Sequence, residues 1–154
     1  MKVEYVNPFI EAAFKVLEAV LQQRPVKGGL AMQPATFTSM QCNVVTGVTG
    51  QIQGSVLYGM SLATADRVAS TMLGQEVKSF DQLAASAIAE LGNMLSGNAM
   101  SVLSERGYIC DITPPTVIRG TNVRISTLSI PAVVIPLHLA EGDLSITVGL
   151  QERK

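Results

Sequence analysis

Residues 81–106 read DQLAASAIAELGNMLSGNAMSVLSER, and the way this stretch sorts its side chains decides the fold. On a helical wheel with Ser86 at zero and about 100° per residue, Glu90 falls at about 40°, Asn93 at about −20° and Gly97 at about 20°. Ala84, Ile88, Leu91, Leu95 and Val102 gather at about 140° to 200° on the same wheel. The spacing predicts a helix of about 25 residues that starts near Asp81, ends near Arg106 and is closed by Gly107. Its apolar side packs on a sheet, and Ser86, Glu90 and Asn93 point outward.

Upstream, residues 64–73 return the same spacing through Ala65, Val68, Ala69 and Met72, with Gly74 as a C-terminal glycine signal. Before them, residues 35–48 alternate Thr, Val and Phe, turn at Thr49-Gly50 and continue as QIQGSVLYGMS, the pattern of a β-hairpin. Residues 8–23, PFIEAAFKVLEAVLQQ, predict an amphipathic helix with Asn7 as N-cap, Pro8 in its first turn, and Ile10, Phe14, Leu17, Val20 and Leu21 on its apolar face. Arg24-Pro25 stops it, and a loop runs through Gly28 and Gly29. Downstream lie β-like stretches PTVIRG, NVRISTLSI, AVVIPLHL and LSITVGL, punctuated by Gly120-Thr121-Asn122 and Glu141-Gly142-Asp143. Helices and hairpins are segregated, so the expected fold is α+β: a largely antiparallel sheet covered on one side by two long helices, with residues 1–154 as one domain.

Composition narrows the function. With 47% hydrophobic residues in 154, the chain can bury one real core; with 5% aromatics and no Trp, that core is aliphatic, Ala and Met. Eleven basic against twelve acidic side chains leave no cationic field, so nucleic acid is not the expected partner. Two cysteines make no disulfide scaffold, and a lone His138 excludes multi-histidine metal sites. Glu4, Asn7, Pro8 and Glu11 interrupt any apolar leader at the start, and the uncharged stretch between Lys27 and Asp66 is too rich in Thr, Gln, Ser and Gly to span a membrane. A reducing cytoplasm is the expected setting.

A Glu and an Asn on the outer stripe of a helix are ordinarily no more than its solvated face. Two features set this stripe apart. Asn is a poor mid-helix residue, and Gly92 beside it costs about 1 kcal/mol relative to Ala. Gly92 and Gly97 are read as baring the surface around Asn93 for the close approach of another surface. Residues 111–115, DITPP, follow the helix, and their double proline fixes a rigid, extended edge. Other candidates read blandly. Gly47, Gly50 and Gly54 lack the Gly-Lys-Ser/Thr of a phosphate loop and belong to a hairpin. Cys110 has no His or basic cluster to activate it, and His138 has no triad partner in sequence and reads as a packed or interface side chain. The charge-free run TLSIPAVVIPLHLA, with Pro131 and Pro136, predicts an open sheet edge over residues 129–139 that invites pairing with a second copy in a homodimer.

The blocks SAIAELGNMLSG and DITPPTVI together resemble the signature of the CheC/CheX chemotaxis phosphatase family, and the opening VNPFIEAAFKVL and the order of elements extend the resemblance over nearly the whole chain. It implies dephosphorylation of the aspartyl-phosphate of a CheY-type receiver domain that brings its own Mg²⁺, the chain having no cofactor of its own. By the same resemblance Glu90 and Asn93 are the catalytic pair, with Ser86 and Pro115 supporting them. A weak internal repeat places Asn7, Glu11 and Phe14 opposite Ser86, Glu90 and Asn93. Only the second copy keeps the amide, as in one-site members of the family, and Phe14 is expected in the core. The rival expectation is a non-catalytic module that binds receivers or resembles flagellar switch proteins.

Overall fold

Alternation of apolar and small polar residues over 42–60 and 132–152 dictates strands with one face for a core. A computed structural model of the chain, describing residues 2–34, 36–126 and 131–153, builds them into one antiparallel sheet. In chain order the elements are helix α1 (Val3–Leu21), strands β1 (Val26–Lys27), β2 (Ala31–Gln33), β3 (Thr36–Thr38), β4 (Cys42–Gly50) and β5 (Ile52–Met60), helices α2 (Leu62–Leu73) and α3 (Gln82–Glu105), and strands β6 (Cys110–Ile112), β7 (Thr116–Arg119), β8 (Arg124–Ser126), β9 (Ala132–Leu139) and β10 (Gly142–Glu152). The main sheet runs β1-β9-β10-β5-β4-β6, with β2 also on β9 and β7 also on β4. Tyr58 of β5 stands opposite Val44 on one side and Ile146 on the other. These residues, with Val48, Val56, Leu144 and Val148, form the buried face that the helices cover. The small β3–β8 pair approaches the opposite face, where Phe37 shares a cleft with Leu57, Val134 and Thr147.

The two later helices carry side-chain N-caps, and α2 starts at Leu62, two residues before the Thr64 that the spacing suggests. Asp81 Oδ1 accepts from the Ala84 amide at 2.8 Å, and Ser61 caps α2, which ends on Gly74 in the left-handed conformation at φ 68°. The first helix departs from expectation. It begins at Val3 with Lys2 as an N-cap that makes no side-chain bond, and Pro8 lies inside it rather than after an Asn7 cap. Proline forfeits only the bond to the Glu4 carbonyl, and burial of Tyr5 and Val6 holds the added turn. Tyr5 packs edge-on to Tyr108 with ring centroids 5.5 Å apart. The buried stripe of α1 is Phe9, Ala13, Val16 and Leu17; Phe14 is only half-buried, under the Arg24 guanidinium at 5.1 Å, so its expected place in the core is not observed.

The open edge predicted over residues 129–139 is also corrected. Residues 129 and 130 lie outside the described residues, and β9 is an interior strand, with β10 on one side and β1 and β2 on the other. Pro136 accounts for the division of that outer partner. Its carbonyl accepts from the Gly28 amide at 2.9 Å, and since it has no N–H to return, the ladder breaks between β1 and β2, over the segment read as a plain loop. The true edge exposes Val26, Leu30 and Met32. Among the described residues, no helix is long and apolar enough to cross a membrane.

Helix α3 fits the sheet through Gly92. A Cβ on Gly92 would stand 2.6 Å from Val44 Cγ1 and 3.4 Å from Tyr58 Cδ2, so the glycine serves close helix-to-sheet packing and not a bared outer surface as expected. Gly97, by contrast, faces open space. Gly92→Ala should therefore destabilise the protein by about 1 to 3 kcal/mol through overpacking. Gly97→Ala should be neutral or stabilising by about 0.5 to 1 kcal/mol, because helix propensity alone is changed. Urea unfolding of the pair checks it, and equal midpoints for both variants would contradict this packing.

Candidate functional site

One turn beyond Gly92, Ser96 is wholly buried beneath α3. Its hydroxyl lies 2.9 Å from Thr46 Oγ1 and 2.7 Å from Tyr58 OH. Burial raises the Tyr58 pKa, so the phenol stays protonated and the three hydroxyls satisfy one another. With Gly92 and Ser96 against β4 and β5, the rotation of the helix is set. Asn93 then lies about 60° round from Ser96, and Ser86 and Glu90 about 80° and 120° round on the same flank. Accordingly Asn93 is half-buried at the margin of the sheet, while Ser86 and Glu90 are exposed. The stripe stands beside the sheet contact, not opposite it.

That flank overhangs the edge of the sheet. Helix α3 packs on β4, β6 and β7, with α1 and α2 as its helical neighbours. The edge strand is split because β6 pairs with residues 48–50 and β7 with residues 42–45, leaving Thr113, Pro114 and Pro115 opposite Thr46 and Gly47. Thr113 clamps this break: its Oγ1 accepts from the Gly47 amide at 2.8 Å and its own amide donates to the Gly47 carbonyl at 2.9 Å. Pro114 is exposed and Pro115 half-buried; Pro115 keeps the parity of Val117, which packs on the core. Val117 and Arg119 line one cleft with Ala85 near the start of α3.

Among the described residues, the side chains of Ser86, Glu90 and Asn93 make no hydrogen bond or ion pair. The contrast with the repeat position in α1 is direct: Glu11 is held by both carboxylate oxygens to Arg106, at 2.8 and 2.9 Å. Glu141 likewise accepts from Gln23 and Thr71. Glu90 is thus a carboxylate with no partner, one turn from an amide with none. Among the described residues no group of three or more His, Cys, Asp or Glu could hold a metal ion.

The remaining candidates separate cleanly. Gly47, Gly50 and Gly54 belong to the β4–β5 hairpin, with no strand-to-helix turn. His138 is exposed, not packed, and its Nδ1 lies 2.8 Å from Asp143 Oδ1 directly across the β9–β10 ladder. Cys110 is a half-buried free thiol on β6, and Cys42 is buried with its pKa pushed up to about 11 by burial. Two residues that the sequence reading passed over matter here. Ser96 had a signal, a hydroxyl one turn from Gly92 on an otherwise apolar face; Arg119 had none, being one charge at the end of a strand.

A family model described as chemotaxis phosphatase CheX matches residues 42–138. The chain belongs to the CheX family. It is 36% identical over 135 residues to the CheY-P phosphatase CheX of Thermotoga maritima, covering 84% of each chain. Among solved structures it is similar to the chemotaxis protein CheX of Desulfovibrio desulfuricans, at 27% identity and a TM-score of 0.86 over 98% of this chain and 100% of that one. It is similar, too, to a chain of the CheX–CheY–BeF₃–Mg²⁺ complex of Borrelia burgdorferi, at 29% identity and a TM-score of 0.84 over 98% and 100%.

Because the stripe contributes no hydrogen bond or ion pair to the fold and Ala is the better helix former, Ser86→Ala, Glu90→Ala and Asn93→Ala should each unfold at or slightly above the wild-type temperature, within about 0.5 kcal/mol. Calorimetry of the three variants tests this. A loss of several degrees in any of them would mean that the residue holds structure.

Proposed function

We propose that the chain hydrolyses the phosphoaspartate of a CheY-type receiver domain, with Asn93 orienting the attacking water and Glu90 docking the receiver's lysine. The observation that carries this reading is the unpartnered acid and amide on one flank of a rigidly seated helix. In the reaction a water oxygen bonds to phosphorus, the phosphorus–oxygen bond to the aspartyl carboxylate breaks, and the water's protons pass to the products as inorganic phosphate leaves. The receiver brings Mg²⁺ and a lysine to neutralise charge, which leaves positioning as this chain's task. A carboxamide suits it: its oxygen accepts from water and its nitrogen donates, with no charge set against the phosphoryl oxygens. Ser86 lines the rim, and Pro115 holds the facing edge. Names of the relatives support the same substrate: a CheY-P phosphatase in one, a bound CheY with BeF₃ and Mg²⁺ in the other.

The setting is cytoplasmic, where receivers work, and the active form is a homodimer. A second copy would cover Val26, Leu30 and Met32 on the β1–β2 edge, an apolar strand otherwise open to pairing. Met32→Lys should convert a dimer to a monomer by light scattering; a wild type that is monomeric at micromolar concentration would end that part of the proposal.

Asn93→Ala should lower the hydrolysis rate about 10²- to 10³-fold, the cost of losing one positioned transition-state group, while still binding the receiver. Inorganic phosphate release from an acyl-phosphate-labelled receiver reads it, and a rate within a few-fold of wild type would instead favour a binding module without catalysis. Glu90→Ala should weaken docking by about 2 kcal/mol or more if the pair it makes is buried.

Asn93→Asp separates amide chemistry from polarity. It keeps the volume and an acceptor but sets a charge beside the phosphoryl oxygens, worth roughly 4 kcal/mol of repulsion at 4 Å and an effective dielectric of 20, part of it offset by the receiver's cations. The variant should be nearly as slow as Asn93→Ala and recover as pH falls, once the receiver's own decay is subtracted. Near wild-type activity at neutral pH would make residue 93 a general base.

A further inference from the structure

A cleft of about 330 Å³ opens where the first turn of α3 faces β7, lined by Phe80, Asp81, Gln82, Ala85, Val117 and Arg119. Its floor is apolar. Its cation, Arg119, lies with the guanidinium 5.6 Å from the centre of the Phe80 ring and donates from Nη1 to the Phe80 carbonyl at 2.7 Å. Phe80 thus holds the guanidinium in place without neutralising it, and among the described residues no carboxylate pairs with Arg119. The acid in the cleft, Asp81, is engaged as the cap of α3.

The cleft belongs to the same surface as the stripe. Gln82 lines it and precedes Ser86 by four residues, one turn and about 6 Å along the helix axis, so the cleft stands at the N-terminal end of the stripe. Glu90 lies two turns beyond Gln82, about 12 Å, a span that a folded domain presenting a lysine to Glu90 covers with its interface. One charge pair fixes a point of contact but leaves the partner free to swing about it, and in-line attack on phosphorus does not tolerate that swing. A second contact of opposite sign removes the rotation, because a partner docked the wrong way round would set its lysine against Arg119.

We propose that this cleft is a second docking point for the receiver domain, taking an apolar side chain into the floor formed by Phe80, Ala85 and Val117 while a neighbouring carboxylate of the receiver pairs with Arg119. The inference rests on the reading that the Glu90–Asn93 flank is the receiver-binding face. Arg119 is a docking and positioning residue in it, and takes no part in bond making.

The test uses the full chain and a CheY-type receiver, phosphorylated for kinetics and carrying beryllofluoride with Mg²⁺ for binding. Arg119→Glu should raise KM about tenfold or more with kcat within twofold of wild type, and should weaken binding of the beryllofluoride receiver by the same factor. Arg119→Lys should recover most of the affinity. Ala85→Leu fills the cleft from the helix side and leaves Arg119 on Phe80; it should raise KM several-fold, and it decides the matter if Arg119→Glu fails to fold. Wild-type KM in Ala85→Leu together with wild-type KM in any folded Arg119→Glu would overturn the second docking point, as would a fall in kcat at unchanged KM. Asn93→Ala separates the two failures: if it is inactive while the cleft variants behave as wild type, only the cleft proposal falls, and if it is fully active the reading beneath both falls.

Discussion

The approach of α3 to the sheet at Gly92 is the constraint on which the rest of the structure depends. With no Cβ at that position, the helix backbone comes within contact of Val44 and Tyr58, and at this depth the Ser96 hydroxyl meets Tyr58 and Thr46. Close packing and a closed polar network at the same spot are mutually enforcing. Were the helix to ride higher by a methyl radius, three hydroxyls would lose their partners in a dry interior, each at about 1 to 3 kcal/mol. Slippage along or rotation about the helix axis is penalised in the same way. A polar group that would weaken an apolar core here selects a single seating of the helix.

Seating the inner face so tightly is what allows the outer flank to be left unattached. Asn93 follows Gly92 directly, so the residue that sets the depth of the helix also sets where the amide stands. The two halves of the internal repeat show the alternative: Glu11 in α1 is tied to Arg106, and Glu4 accepts from Tyr108, so the first helix uses its acids to fasten itself to the end of α3. Glu90 is spared that duty. A carboxylate held by no neighbour keeps its side-chain freedom until a partner arrives, and the ordering cost is then met at the interface.

Much of this was legible in the sequence where a local rule had no competitor. The span of α3 followed from periodicity and Gly107, with a start near Asp81; the end of α2 from Gly74; the β4–β5 hairpin from alternation. The polar stripe came from the wheel alone, whereas the roles assigned to its members came from a resemblance. Where tertiary burial outweighed the local signal, the reading failed. Asn7-Pro8 is a good helix start in isolation, and it lost to the burial of Tyr5 and Val6. Pro131 and Pro136 in TLSIPAVVIPLHLA argued for an edge; in fact Pro136 needs only one side of its strand to lack a ladder bond, and the break between β1 and β2 supplies it. Gly92 was recognised as anomalous but placed on the wrong surface, because a wheel reports phase and not which neighbour requires the space.

A stripe along the flank of a helix is a poor site for any small substrate, which would find no enclosure there. It suits a substrate that carries its own pocket. If the phosphoryl group arrives on a folded domain with its counter-charges already in place, an enzyme that brought more cations or a deep cavity would gain little, and one that brought a carboxylate to the phosphorus would lose. What remains to be supplied is a water held in line and a docked geometry that does not swing. In the proposed mechanism, an amide on a helix whose rotation is locked from below supplies the first. The second demands fixed points away from the chemistry, and the rigid Thr113–Gly47 clamp on one side of the stripe and the Phe80-backed guanidinium beyond its N-terminal end are the fixed points this surface offers.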